Sequence, residues 1–87
     1  MKTEKDKLCE AVDEFAEAMK KRLLQKQKQG FCGWDNGDVT DYGLPTRLFN
    51  KAAQVYVIIN YSSKQRIIGK LLVDIANFSM MIWRKTK

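Results

Sequence analysis

Two short polar stripes carry most of the chemistry open to this chain. Near the C-terminus Lys70, Asp74 and Asn77 stand four and three residues apart within an apolar segment, the spacing that lines one face of a helix. An earlier segment repeats the pattern with Arg47, Lys51 and Gln54, and Asn50 lies beside them. A buried polar group costs about 1–3 kcal/mol unless it is paired, so a polar stripe on an apolar helix has to be accounted for. One account is local: Lys70 and Asp74 pair at i,i+4 and the other side chains are solvated. The other account has the two stripes facing each other across a polar pocket. The chain contains no histidine, which removes the commonest general base and excludes Ser–His and Cys–His nucleophilic triads. Its two cysteines, Cys9 and Cys32, are too few for a disulfide framework or a zinc cluster. They are expected as a small buried apolar residue and a loop residue.

The elements that must position these stripes follow from hydrophobic period. Leu8, Val12, Phe15, Met19 and Leu23 recur at helical steps, which predicts a first helix over about 4–28, stopped by Gly30. Residues 29–43 are rich in glycine, Asp and Asn and read as a connecting loop, long enough to be functional. Pro45 suits the first turn of a second helix over about 45–60, with Leu48, Ala52, Val55 and Ile59 as its apolar stripe and Asn60 as its stop. Ser62 and Gln65 stand at capping-box spacing and announce a third helix over about 63–85. That helix is apolar nearly all round, from Ile67 to Ile82, and is expected to be central and buried or covered by a second subunit. The expected fold is all-α, one domain over 1–87 with three main helices. No repeat, low-complexity segment or interdomain linker interrupts it.

Composition is consistent with this. At 87 residues the chain has room for one small core, and 45% hydrophobic with 30% charged residues is globular rather than disordered. Lys70, Asp74 and Asn77 interrupt the longest apolar stretch, and the charged N-terminus lacks an apolar signal-peptide region. A soluble, cytoplasmic protein is expected, with no membrane partner. The net charge of +6 is unevenly spread. Residues 1–19 hold three lysines against six acids, whereas residues 20–87 hold thirteen basic residues against four acidic ones. Acid early and base late in the first helix suits its dipole. The basic cluster Lys20, Lys21, Arg22, Lys26 and Lys28 reads either as a solvated face or as an attraction for anionic partners.

Several stretches, taken in order, resemble the MazG-like nucleoside-triphosphate pyrophosphohydrolases, in particular the short phage-type members. They are Phe15-Ala-Glu-Ala-Met19, Gly33-Trp34, Leu44-Pro-Thr-Arg-Leu48 and, above all, Asp74-Ile-Ala-Asn-Phe-Ser-Met-Met81. The last is similar to the family's DVANFAMM helix, with Ile75 and Ser79 as conservative departures, and the resemblance spans about Phe15 to Trp83. It implies a MazG-like helical bundle completed by oligomerisation, a phage or prophage origin, and a bacterial host cell as the setting. It also implies an ExxE motif and a later ExxD motif whose acids hold Mg²⁺, which needs a hard oxygen shell. Here those motifs fall at Lys51-Ala-Ala-Gln54 and Leu71-Leu-Val-Asp74, so Asp74 alone of the four carboxylates is kept. Hydrolysis by the family mechanism is therefore expected to be lost, with neither Mg²⁺ nor another cofactor bound.

The replacements are Lys and Gln rather than a truncation to alanine, and an ammonium can meet a phosphate directly, without a metal. The leading expectation is a binding module that captures a nucleotide or another phosphorylated small molecule without cleaving it, with a sequestering role against host defence. Lys51, Gln54, Lys70, Asp74 and Asn77 would line its pocket, with Trp34 or Tyr56 as a stacking surface for a base or, in Trp34's case, as a core plug. The alternative is a small interaction protein that docks on a host protein through Lys20, Lys21, Arg22, Lys26, Lys28, Arg84, Lys85 and Lys87. Nucleic-acid binding ranks below both, since no helix-turn-helix, aromatic RNA-binding sheet or zinc finger supports it. Residual hydrolysis through Asp74 alone ranks last.

Overall fold

The computed structural model describes residues 1–61 and 64–87. The chain is all-helical, with α1 at Glu4–Lys28, a single 3₁₀ turn at Asp41–Gly43, α2 at Leu44–Tyr61 and α3 at Gln65–Lys85. Among the described residues there is no strand, and no helix is long and apolar enough to cross a membrane.

The start of α1 is fixed by a capping box that the hydrophobic period does not announce. The Asp6 N–H donates to Thr3 Oγ1 at 3.1 Å and the Thr3 N–H donates to Asp6 Oδ2 at 3.2 Å, so two otherwise orphaned donors are satisfied reciprocally. Its end is a Schellman turn. Gly30 takes a left-handed φ of 96°, which lets Phe31 N–H reach the Lys26 carbonyl at 3.0 Å and Gly30 N–H reach the Gln27 carbonyl at 2.9 Å. The capping box expected for α3 involves Ser62, which lies outside the described residues. Lys64 occupies the N-cap of α3 and makes no side-chain capping bond.

The loop from 29 to 43 is more ordered than its composition suggests. Asp38 accepts from Thr40 Oγ1 at 2.6 Å and from the Thr40 N–H at 2.9 Å. These bonds, with Lys85 nearby, hold its carboxyl below the ordinary value of 3.8. Lys85, in the last turn of α3, donates to the Asn36 and Asp38 carbonyls at 3.1 and 3.0 Å. The Tyr42 hydroxyl donates to the Cys32 carbonyl, and its ring meets Phe31 edge-on, 6.2 Å between centroids. The loop is thereby tied both to itself and to the end of α3.

α3 is the central helix, packed extensively against α2 and less extensively against α1. Among the described residues the buried apolar ones are few: Leu44, Val55, Leu71 and Met81. Two polar residues are buried with them, Asp74 at 8% and Asn77 at 3% exposure. The radius of gyration is 14.7 Å, against about 12 Å for a compact chain of this length, so the molecule is elongated.

Burial follows the apolar stripes only in part, and it corrects the expectation for Cys9. Leu8, Val12 and Phe15 lie 60%, 65% and 40% exposed, because α1 packs on α3 with its second half and its first half reaches past the bundle. Cys9 lies on that first half and is exposed rather than buried, as is Cys32. On α2 the packed residues are Leu44, Leu48, Lys51, Val55 and Ile58, whereas Ala52 and Ile59 face outward. The packed face is thus rotated by about one residue from the most apolar one, and Lys51 stands on it. α3 is only partly covered, since Ile67, Leu72 and Trp83 are exposed.

Candidate functional site

The two polar stripes meet at Asp74. α3 carries Asp74 into the interior, α1 supplies Arg22 from one side, and α2 supplies Lys51 from the other. The Arg22 Nε donates to Asp74 Oδ1 at 3.1 Å, and the Lys51 ammonium stands 3.7 Å from Asp74 Oδ2. The first distance is a charge-assisted hydrogen bond, whereas the second is an ion-pair contact beyond hydrogen-bond reach. Arg22 therefore satisfies Oδ1, and Lys51, in ion-pair contact with Oδ2, keeps its hydrogen-bond donors for another acceptor. The side chains of Arg22 and Lys51 are each about a third exposed and that of Asp74 about a tenth. The carboxylate is internal, and both cations reach it from the rim.

A cleft of about 310 Å³ opens between α2 and α3 above this cluster, lined by Lys26, Arg47, Asn50, Lys51, Gln54, Asp74 and Phe78. Three cations and one carboxylate give its walls an excess of positive charge. Below it a smaller space of about 50 Å³ extends past Asn77, Phe31 and Met81. The Asn77 amide nitrogen donates weakly to the Met19 carbonyl at 3.4 Å, and its Oδ1 is buried with no partner among the described residues. An unpaired buried acceptor is costly, about 1–3 kcal/mol, and this one borders a space large enough for a water molecule or a small donor group.

Of the residues expected at a site, Lys51, Gln54 and Asp74 share this cleft, and Asn77 lies in the adjoining space. Lys70 does not join them. It lines a separate cleft between α1 and α3 with Lys21 and Arg22, and the Lys70–Asp74 pair expected from i,i+4 spacing is absent among the described ion pairs because Arg22 occupies the carboxylate. Trp34 also lies apart, in a hollow of about 280 Å³ walled by the connecting loop, α1 and Met80 and Met81. Tyr56 is exposed on α2. Arg22 and Lys26 belong to the basic cluster that reads either as a solvated face or as an attraction for anionic partners. They are half-buried and line the space beside the site. A signal for this existed in the sequence: both lie within a turn of the Met19–Leu23 stripe, whose apolar neighbours pack on α3.

No family model, curated protein or solved structure matches the chain. The resemblance to MazG-like pyrophosphohydrolases is carried by the motifs alone.

The Mg²⁺ that this resemblance would bring can be tested against the donors present. Among the described residues Asp74 is the one carboxylate lining the cleft, and a guanidinium and an ammonium already face its two oxygens. Arg47 and Lys26 add further cations to the walls. Among the described residues no three Cys, Asp or Glu side chains cluster as metal ligands. This donor set does not fit a hard divalent cation, which needs several oxygen ligands and compensating negative charge.

Proposed function

We propose that this protein binds a nucleotide or another phosphorylated small molecule in the cleft between α2 and α3 without hydrolysing it. The observation that carries the reading is the charge arrangement around Asp74. Asp74 is shared between Arg22 from α1 and Lys51 from α2, so the cleft sets the cations of Lys51, Arg47 and Lys26 against a single carboxylate that is already paired. Lys51 and Arg47 would receive phosphate oxygens, Gln54 and Asn50 would hydrogen-bond to the ligand, and the Phe78 ring would offer an apolar flank. Asn77 Oδ1, buried and unpaired, would accept from an N–H donor such as a base amine. Such a protein sequesters its ligand, which suits a phage-type product acting against a host's nucleotide signal. The same features argue against turnover, because nothing in the cleft would hold the metal or activate the water.

The test is thermal shift and calorimetry with linear and cyclic nucleotides, with and without Mg²⁺. Binding that is independent of Mg²⁺ and at least about tenfold weaker in Lys51→Gln is expected, since a charge-assisted phosphate contact is lost. No response to any nucleotide would remove the proposal. Release of pyrophosphate from nucleoside triphosphates would overturn its non-enzymatic part.

A second reading, docking on a protein partner, is favoured by a separate observation. Phe49, Tyr56 and Ile59 are exposed along α2, and Phe49 also walls an almost wholly apolar hollow with Pro45 and Ile82. A contiguous exposed apolar patch is a common mark of an interaction surface. A homo-oligomer would cover part of it, and a host protein would cover it as an inhibitor's target does.

A further inference from the structure

Lys70, left out of the α2–α3 cleft, belongs to a second basic cleft on the other side of the Arg22–Asp74 pair. This cleft, of about 320 Å³, lies between α1 and α3 and is lined by Lys21, Arg22, Gln25, Gly69 and Lys70, with Ala18 and Val73 as its apolar edges. No carboxylate lines it among the described residues, and neither Lys21 nor Lys70 has an ion-pair partner there. Arg22 reaches Asp74 through Nε, and among the described residues the terminal nitrogens of its guanidinium fork have no hydrogen-bond partner. Two cations without an ion-pair partner among the described residues, Lys21 and Lys70, therefore face one space from two helices, beside a guanidinium whose charge Asp74 balances, and a net positive cleft of this kind attracts anions.

Gly69 gives an independent reason to regard this space as used. Glycine is the poorest helix former after proline, and Gly69 lies inside α3 with helical geometry. A side chain at that position would meet nothing within 4 Å, so no packing within the chain requires its absence. What the glycine does is leave the floor of the cleft open.

We propose that the α1–α3 cleft is a second anion site that takes a phosphoryl group of a small molecule. Lys21 and Lys70 act as point charges from opposite walls, and the Arg22 fork supplies the directional donors. The Arg22–Asp74 pair is the partition between this site and the α2–α3 cleft. The second site does not depend on the nucleotide reading of the first, because it shares neither Lys51 nor Gln54.

The probe is inorganic pyrophosphate, titrated into the full-length chain at low salt and followed by amide chemical shifts, with sodium chloride at matched ionic strength as the control. Saturable shifts at Gly69, Lys70 and Lys21 are expected, with the site retained in Lys51→Gln. Gly69→Glu places a carboxylate in the cleft where space is free, and Lys70→Glu reverses a wall charge. Each should weaken pyrophosphate binding at the α1–α3 cleft at least about tenfold, since like charge replaces an attractive contact. The melting temperature of Gly69→Glu should stay equal or rise, which separates loss of binding from loss of fold. Shifts confined to α2 residues, shifts reproduced by chloride, or wild-type affinity in Gly69→Glu would each overturn the proposal. Failure of the nucleotide panel at the α2–α3 cleft would leave these shifts untouched.

Discussion

The two halves of α1 follow one hydrophobic period and meet different fates. In the second half Met19 and Leu23 are half-buried against α3, and Arg22 and Lys26 turn toward the cleft. In the first half every residue from Met1 to Phe15 is exposed, including the apolar Leu8 and Val12. The charge changes along with the burial: the first nineteen residues carry six acids against three lysines, and the basic cluster begins at Lys20. An apolar stripe reports that a helix has a face to cover, and it does not report what covers it. One half of α1 is held by its own chain and positions the site. The other offers a face that this chain leaves open.

The largest expected effect lies at the core that the second half helps to close. Met81 is buried almost completely between the helices, and Met81→Ala removes its contacts and leaves a cavity, at about 2–4 kcal/mol. With so few buried apolar residues, that loss should lower the melting temperature by roughly 10 °C or more. Urea unfolding followed by circular dichroism measures it. A shift below about 0.5 kcal/mol, as for an ordinary surface position, would mean that the core is not closed around α3.

Next in size is the buried charge cluster. Asp74→Ala leaves Arg22 and Lys51 facing each other without a carboxylate, and both are only about a third exposed. The cost of breaking a fully buried pair is larger, about 3–5 kcal/mol. Solvent at the rim reduces it here to roughly 1–3 kcal/mol. Asp13→Ala, on the exposed half of α1, should change stability by less than about 0.5 kcal/mol. Equal effects of the two substitutions would show that Asp74 is as solvated as Asp13, and the distinction between the halves would then fail.

What the sequence revealed and what it concealed divide along the same line. The helices were legible because period, Gly30 and Pro45 are local signals, and the observed α1 spans Glu4–Lys28, as the period predicts. The polar stripes of α2 and α3 were legible too, since polar residues at helical spacing in an apolar context stand out. Their partners were not. Arg22 and Lys70 are both basic residues near Asp74, and i,i+4 spacing favours Lys70, but the carboxylate is bound by Arg22 across 52 positions of chain. Only the crossing of α1 over α3 decides between them, and no local pattern encodes that crossing. The rotation of α2 was concealed for a related reason: Lys51 replaces an apolar residue on the packed face, so the most apolar stripe is not the buried one. The Thr3–Asp6 box was readable from its spacing, but the hydrophobic period draws attention away from it.

The smallest effect within a single chain, and the sharpest test of the contrast, comes from Leu8→Ser combined with Val12→Ser. Both side chains are mostly exposed, so at low protein concentration the unfolding free energy should change by no more than about 0.5 kcal/mol. A face left open by its own chain is the natural place for a second copy, whose acidic α1 half could approach the basic remainder of its neighbour. Binding to the folded state alone raises the melting temperature with concentration. The wild-type melting temperature should therefore climb across a hundredfold range of protein concentration (roughly 2.7 kcal/mol of linkage), and that of the double variant should stay flat. Sedimentation velocity reads the same event as a change of mass. A wild type that neither sediments faster nor melts higher on concentration would leave the first half of α1 to a partner of different chemistry, and the contrast would then describe a docking arm rather than a dimer interface.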